Sequence, residues 1–335
     1  MDKSLILAWA KEYIQIHSKL GVQVGFYSSG MVEQHCFGQA SKESIFDVAS
    51  VSKAFMTSYL CMIAVEKDLI KLNTKVSEIF KCSKDISDIS ISELLTHTSG
   101  LKAWLPMYGL VSSAEQARDY LLNLEILPEN RGQRVYSDLG FIILGFILED
   151  IFKERLDVLF NKNIINPLGL KNTFFQNNLN KDSMTTSFGN PFEKQLVESL
   201  GIENLKSISW RNYPIKNEVN DFNCFSVFKG ISGHCGLFSN SNDMIEISKS
   251  IIFNKIVSKK TRDTFLNKLI QNNSLGFLAS PKLMKFSLNE NWRGHHGFTG
   301  CSVFINVESL EAFSFLSNRQ VVGLEEKNYG NWKMN

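Results

Sequence analysis

The sequence lacks several features that would place it in a special class of protein. It has only 6 prolines in 335 residues, and its longer apolar runs, such as residues 141–148, are well short of the ~20 residues that span a bilayer. Its 36 Lys and Arg against 34 Asp and Glu leave a formal net charge of +2. That charge is too small for the basic surface that nucleic-acid binding requires. We therefore exclude a disordered or fibrous chain, and we predict neither a transmembrane segment nor a nucleic-acid partner.

Cysteine is also scarce, and it follows no metal-binding pattern. No C-x-x-C pair occurs, so the spacing predicts no zinc site, no metal and no cofactor. The N-terminal residues 4–19 are typical of an amphipathic helix of the mature fold, because charged residues interrupt the apolar run too early for an export signal. From this we expect a cytoplasmic location and reduced thiols. The six cysteines are Cys36, Cys61, Cys82, Cys224, Cys235 and Cys301.

Hydrophobic residues make up 44% of the chain, and their periodicity predicts an order of helices and strands. Alternation over residues 22–37 indicates a β-hairpin, and residues 50–66 are apolar almost all round, as in a buried helix. Residues 76–234 are mainly helical with turn-rich segments between the helices. Strand character returns at residues 298–307 and 312–316.

This order predicts an α+β fold: an antiparallel sheet flanked by helices, with a mostly helical second lobe. The length corresponds to about two domains. We assign residues 1–75 and 235–335 to the sheet lobe and residues 76–234 to the helical insert, together forming one catalytic unit.

Ser50 and Lys53 lie three residues apart at the predicted start of a helix, so both side chains project from one face. A serine needs an adjacent base to act as a nucleophile. Burial and the helix N-terminus favour a neutral lysine, which is the form that accepts a proton. The same spacing recurs elsewhere in the chain, so the spacing by itself does not identify a site.

The surrounding residues are more specific. Residues 46–53 resemble the active-site segment of class C β-lactamases and penicillin-binding-protein-like serine hydrolases, which carry an S-x-x-K motif. Further segments resemble other blocks of this superfamily, in the same order: residues 94–101, 136–140, 167–170, 233–239 and 294–300. The resemblance implies a β-lactamase/transpeptidase-like fold in a superfamily that includes esterases and D-amino-acid peptidases.

The resemblance also implies roles for particular residues. Ser50 would attack the substrate carbonyl, while Lys53 and Tyr136 would handle its proton, with Tyr136 held as a phenolate by the nearby ammonium. The backbone N–H groups of Ser50 and Phe298 would form the oxyanion hole. Gly297 would let the substrate lie against the strand.

Two positions differ from the superfamily pattern. Asp138 stands where asparagine is frequent; it would favour a protonated Lys53, unless it serves as the N-cap of the helix 139–152. His295 replaces the lysine of the K-T-G pattern, and a neutral imidazole would bind a carboxylate weakly. His296 should point to the opposite face of the strand. A metal site at His97, His234 and Asp243 is not expected, because they share no ligand spacing.

The sequence therefore predicts a serine hydrolase that acts through an acyl-enzyme on an ester, amide or peptide bond of a small molecule or short peptide. A D-alanyl peptidase or β-lactamase is one alternative. A non-catalytic binding or assembly protein on the same fold is the other. The oligomeric state stays open, and a polar tail, residues 320–335, follows the last predicted strand where the superfamily usually has a helix.

Overall fold

The computed structural model describes residues 1–323 except 127, 177–181, 202–204, 206, 272, 280–281 and 284–285. Most of the polar tail lies outside the described residues. The strands are β1 (Gly21–Ser28), β2 (Met31–Gly38), β3 (Phe46–Asp47), β4 (Phe174–Phe175), β5 (Ser187–Phe188), β6 (Pro214–Ile215), β7 (Leu237–Ser239), β8 (Leu278–Ala279), β9 (Lys282–Leu283), β10 (Phe286–Ser287), β11 (Trp292–His296), β12 (Ser302–Asn306) and β13 (Glu311–Ser317).

The helices are α1 (Lys3–Tyr13), α2 (a π-helical turn Lys53–Ser58 continued by Tyr59–Glu66), α3 (Lys84–Ser87), α4 (Ile91–Thr96), α5 (Met107–Leu110), α6 (Ala114–Leu122), α7 (Asp138–Phe152), α8 (Leu156–Phe160, continued by the π-helical Asn161–Ile165), α9 (Asn166–Leu168), α10 (Pro191–Leu200), α11 (Phe222–Ser226), α12 (Ser241–Ile252) and α13 (Lys259–Asn267). Short 3₁₀ turns are Val76–Glu78, Pro128–Asn130 and Arg319–Val322. None of the helices described is long and apolar enough to cross a membrane.

An antiparallel sheet with the strand order β2-β1-β13-β12-β11-β8 is built from the two ends of the chain. Helix α1 covers one face, where the rings of Trp9 and Phe315 lie 4.3 Å apart. Helix α12 packs against the sheet strands β1 and β13. The α+β prediction and the predicted hairpin are confirmed.

Helix α1 ends earlier than the sequence pattern indicates. Asp2 caps its start by accepting hydrogen bonds from the N–H groups of Ser4 and Leu5. The chain leaves the helix after Tyr13, and Leu20 N–H donates to the His17 carbonyl in the turn that leads into β1. The helix predicted over residues 4–19 is therefore too long by about a third, because the chain must reverse direction before the first strand.

Helix α2 is buried on all sides, as its apolar composition predicts. Its first turn is π-helical, and Ser58 Oγ donates to the Lys53 carbonyl five residues earlier at 2.8 Å. Tyr59 hydroxyl lies 2.9 Å from Ser250 Oγ on α12. This central helix carries the side chain of Lys53 into the interior.

The strand predicted over residues 298–307 begins later in the structure, at Ser302. β13 matches residues 312–316, but residues 297–300 form a tight turn between β11 and β12 instead of the start of a strand. Gly300 N–H donates to the Gly297 carbonyl at 2.9 Å, and Gly300 has φ +98°. The two glycines allow this turn, which a simple apolar alternation does not reveal.

Residues 76–234 are mainly helical, as predicted. A single apolar cluster nevertheless joins this region to the sheet: it contains Leu139 of α7, Met244 of α12 and Val303 of β12. The two lobes share a core, and the boundaries at residues 76 and 234 stay a prediction.

Candidate active site

Ser50 follows a tight turn between β3 and α2 that is held by a buried carboxylate. Asp47 Oδ1 accepts a hydrogen bond from Ala49 N–H at 2.8 Å, and its Oδ2 accepts one from Asn220 N–H at 2.7 Å. Ala49 adopts φ +46°, a left-handed conformation that is uncommon for alanine. Burial raises the pKa of Asp47 to about 6. This network fixes the position of Ser50, whose exposed fraction is only 8%.

The side chain of Lys53 is buried among oxygen atoms, and it also hydrogen-bonds with Tyr136. Its Nζ lies 2.8 Å from Ser50 Oγ, 3.1 Å from the His234 carbonyl oxygen and 2.7 Å from Asp138 Oδ1. An ammonium group carries three hydrogens, so this arrangement suits the protonated lysine. The ion pair with Asp138 makes Ser50, Lys53 and Asp138 a continuous chain of polar groups.

The expected neutral Lys53 is therefore wrong for the resting enzyme. Burial acts to lower the pKa of Lys53, but the Asp138 carboxylate and the Tyr136 phenol outweigh it, and the net shift is upward. The expectation that Asp138 would keep Lys53 protonated is the one that the geometry supports.

Asp138 is not the N-cap of α7, contrary to the other expectation. Ser137 caps this helix: its Oγ accepts a hydrogen bond from Gly140 N–H at 3.3 Å. Asp138 occupies the first turn, from which its side chain reaches Lys53. Because Ser137 caps the helix, the Asp138 side chain is available for the ion pair with Lys53.

Tyr136 is half-buried and hydrogen-bonds with Ser50 and Lys53. The His97 ring lies 4.7 Å from its ring, and His97 Nδ1 accepts a hydrogen bond from Ser137 N–H at 3.0 Å. Burial raises the pKa of Tyr136 despite the nearby ammonium. The expected phenolate is therefore wrong for the resting state, because Lys53 is already paired with Asp138.

The His295 ring on β11 lies near the Tyr136 ring, with 5.8 Å between the ring centres. Its Nδ1 is 2.6 Å from the His296 carbonyl oxygen, so Nδ1 carries the hydrogen and Nε2 offers a lone pair. Nε2 is buried and has no partner among the described residues. Burial and the Lys53 charge lower the pKa of His295 well below its usual value. The imidazole is neutral, as expected, and can accept a hydrogen bond but not donate one from Nε2.

His296 points to the other face of the sheet, as predicted. Its Nδ1 lies 2.8 Å from Ser302 Oγ, and its ring contacts Phe304 with 5.0 Å between ring centres. Phe304 belongs to the apolar cluster under α1. We therefore assign His296 a structural role.

The turn after β11 lies directly against the nucleophile turn. A Cβ on Gly297 would be 2.4 Å from the Val48 carbonyl oxygen, and Thr299 Oγ1 donates to the Asp47 carbonyl at 2.7 Å. The absence of a side chain at Gly297 thus allows this contact between two turns, and its role in substrate approach stays a prediction. The Phe298 carbonyl accepts hydrogen bonds from Arg319 and Gln320, both at 2.7 Å.

The turns also leave two amide donors available. In the part of the chain that the structure describes, neither Ser50 N–H nor Phe298 N–H donates a hydrogen bond to the protein. Two such donors beside a nucleophile suit an oxyanion hole. The placement of both residues at facing turns agrees with the role that the sequence predicted for them.

Together, these contacts bring Ser50, Lys53, Tyr136, Asp138 and His295 into one site, and comparison with known proteins decides the family. The family model described as Beta-lactamase matches residues 7–332. The chain belongs to the β-lactamase family. As a member of this family of hydrolases it is an α+β serine hydrolase, which confirms the predicted class of enzyme.

Relatives within and around the family act on several kinds of bond. The chain is 28% identical over 306 residues to the N-acetylmuramyl-L-alanine amidase of Bacillus subtilis, covering 83% of this chain and 68% of the relative. It is 27% identical over 325 residues to a Salmonella gallinarum protein named as a provisional D-alanyl-D-alanine carboxypeptidase, with coverage of 84% and 71%. The D-amino acid amidase of Ochrobactrum anthropi shares the fold, with a TM-score of 0.70, 16% identity and coverage of 94% and 91%.

A small, open pocket lined by Phe298 and Asn220 lies beside the turn after β11 in this β-lactamase family member. Its lining residues include Glu193 and Gln320. Both carboxyl oxygens of Glu193 accept from Phe222 N–H, at 3.0 and 3.2 Å. Burial and the nearby Asp221 raise the pKa of Glu193 well above its usual value.

Sequence reasoning missed Asp47, Glu193 and the carbonyl of His234, because each reaches the site through tertiary contacts and stands in no motif. Asp243 also acts through a tertiary contact and does not cap a helix. Asn240 caps α12, while Asp243 Oδ2 accepts from Asn172 N–H at 2.7 Å. The sequence neighbours gave no signal of either arrangement.

Proposed function

We propose that this enzyme hydrolyses an amide or ester bond of a small substrate or short peptide that presents no carboxylate to His295. The observation that carries the reaction is the 2.8 Å contact between Lys53 Nζ and Ser50 Oγ at a fixed, buried turn. The observation that carries the substrate preference is the neutral His295 with an accepting Nε2.

In the first step, Ser50 Oγ attacks the substrate carbonyl and its proton passes to Lys53 while Lys53 passes a proton to Asp138. Lys53 thus stays charged, and Asp138 holds the proton until the later steps return it. The 2.8 and 2.7 Å contacts place these groups in series. The amides of Ser50 and Phe298 stabilise the developing oxyanion.

Collapse of the tetrahedral intermediate releases the leaving group, which takes the phenolic proton of Tyr136. Tyr136 is then reprotonated by Lys53, and Lys53 by Asp138, so the proton of Ser50 ends on the leaving group. A neutral phenol in the resting state suits this role as general acid. Water then hydrolyses the acyl-enzyme through the same groups in reverse.

The surroundings of the site disfavour a carboxylate-bearing substrate. A D-alanyl peptidase or β-lactamase needs a donor or a cation for the substrate carboxylate, whereas Nε2 of the neutral His295 is an acceptor. Acceptors instead suit the N–H groups of an amide or amine. The amidases among the similar proteins support action on an amide bond.

Intact-protein mass spectrometry after treatment with a fluorophosphonate, and separately with a penicillin, tests the reaction. We expect a fluorophosphonate adduct that Ser50→Ala abolishes and Ser52→Ala retains, since Ser52 is a buried neighbour on the same turn. No Ser50-dependent adduct with either probe would contradict the proposal and favour a non-catalytic binding protein. A penicillin adduct of comparable rate would favour the peptidase or β-lactamase alternative.

Substrate preference is tested by comparing amino-acid amides with the same amides carrying a terminal carboxylate. We expect kcat/KM to fall at least tenfold when the carboxylate is added. A higher kcat/KM with the carboxylate would contradict the proposed preference while leaving Ser50 as the nucleophile. The cytoplasmic location expected from the sequence stays a prediction.

A further inference from the structure

A second cluster of chemically active side chains lies behind Lys53, and the proposed reaction does not use those side chains. It consists of Asp221 at the start of α11 together with His234 and Cys235 before β7. One ligand-type atom from each residue lies within 4.8 Å of the other two, and His234 Nε2 is 3.2 Å from Asp221 Oδ1. His234 and Cys235 are buried, while the Asp221 side chain is 21% exposed.

We propose that Asp221, His234 and Cys235 bind a divalent cation of the zinc class. A nitrogen, a sulfur and a carboxylate oxygen form a donor set that Zn²⁺ prefers over the hard cations Mg²⁺ and Ca²⁺. Bond lengths of about 2.0–2.3 Å in tetrahedral geometry put neighbouring ligand atoms roughly 3.3–3.7 Å apart. The 3.2 Å between His234 Nε2 and Asp221 Oδ1 is close to this separation. A pair of ligand atoms as far apart as 4.8 Å would have to approach by about 1 Å.

The surroundings of the cluster also resemble those of a metal site. Ser232 Oγ lies 2.8 Å from His234 Nδ1, so it can accept the Nδ1 hydrogen and leave the Nε2 lone pair for a metal. Cys224 Sγ lies 3.8 Å from the Cys235 carbonyl oxygen, so a second cysteine side chain packs against this segment. The exposed edge of Asp221 gives an ion a route of entry.

A metal here would connect α11 to the segment before β7. Binding forms a metal–sulfur bond and releases the Cys235 thiol proton to solvent. The backbone carbonyl of His234 accepts a hydrogen bond from Lys53, so the connection would also fix one of the groups that hold that lysine. The expected role is structural, because the proposed reaction does not use these three side chains.

The test uses the full-length chain, stripped with a chelator and titrated with ZnCl₂ by calorimetry, with metal content measured after dialysis. Co²⁺ serves as a spectroscopic probe of thiolate ligation. We expect one ion per chain, a thiolate-to-cobalt charge-transfer band, and a rise in Tm with Zn²⁺. Cys235→Ser and Asp221→Asn should each weaken binding at least tenfold, while Cys36→Ser, which changes a cysteine on β2, should not.

Absence of stoichiometric Zn²⁺ binding by the folded wild-type chain would overturn the proposal. So would unchanged affinity in both ligand variants. If Cys235→Ser fails to fold, Asp221→Asn decides the question, because its side chain is partly exposed and asparagine still caps α11. These outcomes do not depend on whether the enzyme hydrolyses any substrate.

Discussion

Lys53 is the residue whose chemistry depends most on its neighbours. In the sequence it is a lysine three positions after a serine; in the structure it is a buried ammonium shared by Ser50, Asp138 and the His234 carbonyl. An unpaired buried ammonium would be costly, and Asp138 offsets that cost. The same pairing determines which group must lose a proton before Ser50 can react.

The role of Asp138 predicts a pH effect. In the wild type, Lys53 keeps its charge because it can pass a proton to the Asp138 carboxylate 2.7 Å away. In Asp138→Asn, Lys53 must itself lose a proton before it can act as the base. Without the Asp138 carboxylate, burial lowers the pKa of Lys53 from its raised value. We expect this pKa to remain above that of an ordinary carboxyl group. The acidic limb of the kcat/KM profile therefore moves to higher pH.

This prediction is checked by measuring kcat/KM of an aryl ester between about pH 4 and pH 10. Asp150→Asn on the same helix α7 is the matched control and should leave the profile in place, because Asp150 pairs with the exposed Lys153. A limb that shifts to lower pH in Asp138→Asn would mean that Lys53 acts alone as the base.

Tyr136→Phe separates proton donation from positioning. The ring stays in contact with His97, but the leaving group loses its proton donor. We expect kcat/KM for an amide to fall about 10²–10⁴-fold. The fall should be much smaller for an aryl ester, whose phenolate leaving group needs no proton. Equal losses for the two substrates, measured with unchanged Tm, would contradict the role of Tyr136 as general acid.

At the level of elements, the site depends on two turns in contact, the one before α2 and the one after β11. Thr299 of the second turn donates to the Asp47 carbonyl of the first, and Gly297 lies against Val48. Asp47 stabilises the left-handed Ala49 from inside the first turn. These contacts set the separation between the nucleophile and the Phe298 amide.

Gly297→Ala should disturb that separation. Its Cβ would lie 2.4 Å from the Val48 carbonyl oxygen, so one backbone must move. Displacement of about 1 Å at a reacting group can reduce the rate ~10²-fold. We expect the rate of fluorophosphonate labelling to fall at least tenfold. Gly140→Ala on α7, where the nearest atom is at 3.6 Å, should label at the wild-type rate. Similar rates for both variants would contradict the coupling of the two turns.

At the level of the whole molecule, the sheet and the helical region share one apolar core. The cluster joins α2, α7, α12 and β12, so neither lobe can lose its packing without exposing the other. We therefore expect one cooperative unfolding transition in differential scanning calorimetry, with calorimetric and van't Hoff enthalpies in agreement. Two resolved transitions would show instead that the predicted lobes unfold independently.

The sequence by itself determined the parts that depend on local patterns. Alternation predicted the hairpin, uniform apolar character predicted the buried helix α2, and the S-x-x-K segment with its ordered companions predicted the superfamily, Ser50, Lys53 and Tyr136. It also predicted the neutral His295, because the intrinsic pKa of histidine is close to neutrality and burial can only reinforce the uncharged form.

The tertiary structure alone decided the protonation of the site and its supporting contacts. Whether Lys53 is charged depends on a 2.7 Å contact with Asp138, 85 positions away in the chain, and the choice of Ser137 as helix cap is what frees that aspartate. The position of Glu193 and the meeting of Asp221 with His234 and Cys235 likewise arise from folding. The charge of a side chain depends on its distances to other groups and on its burial, and the spacing of residues along the chain gives neither.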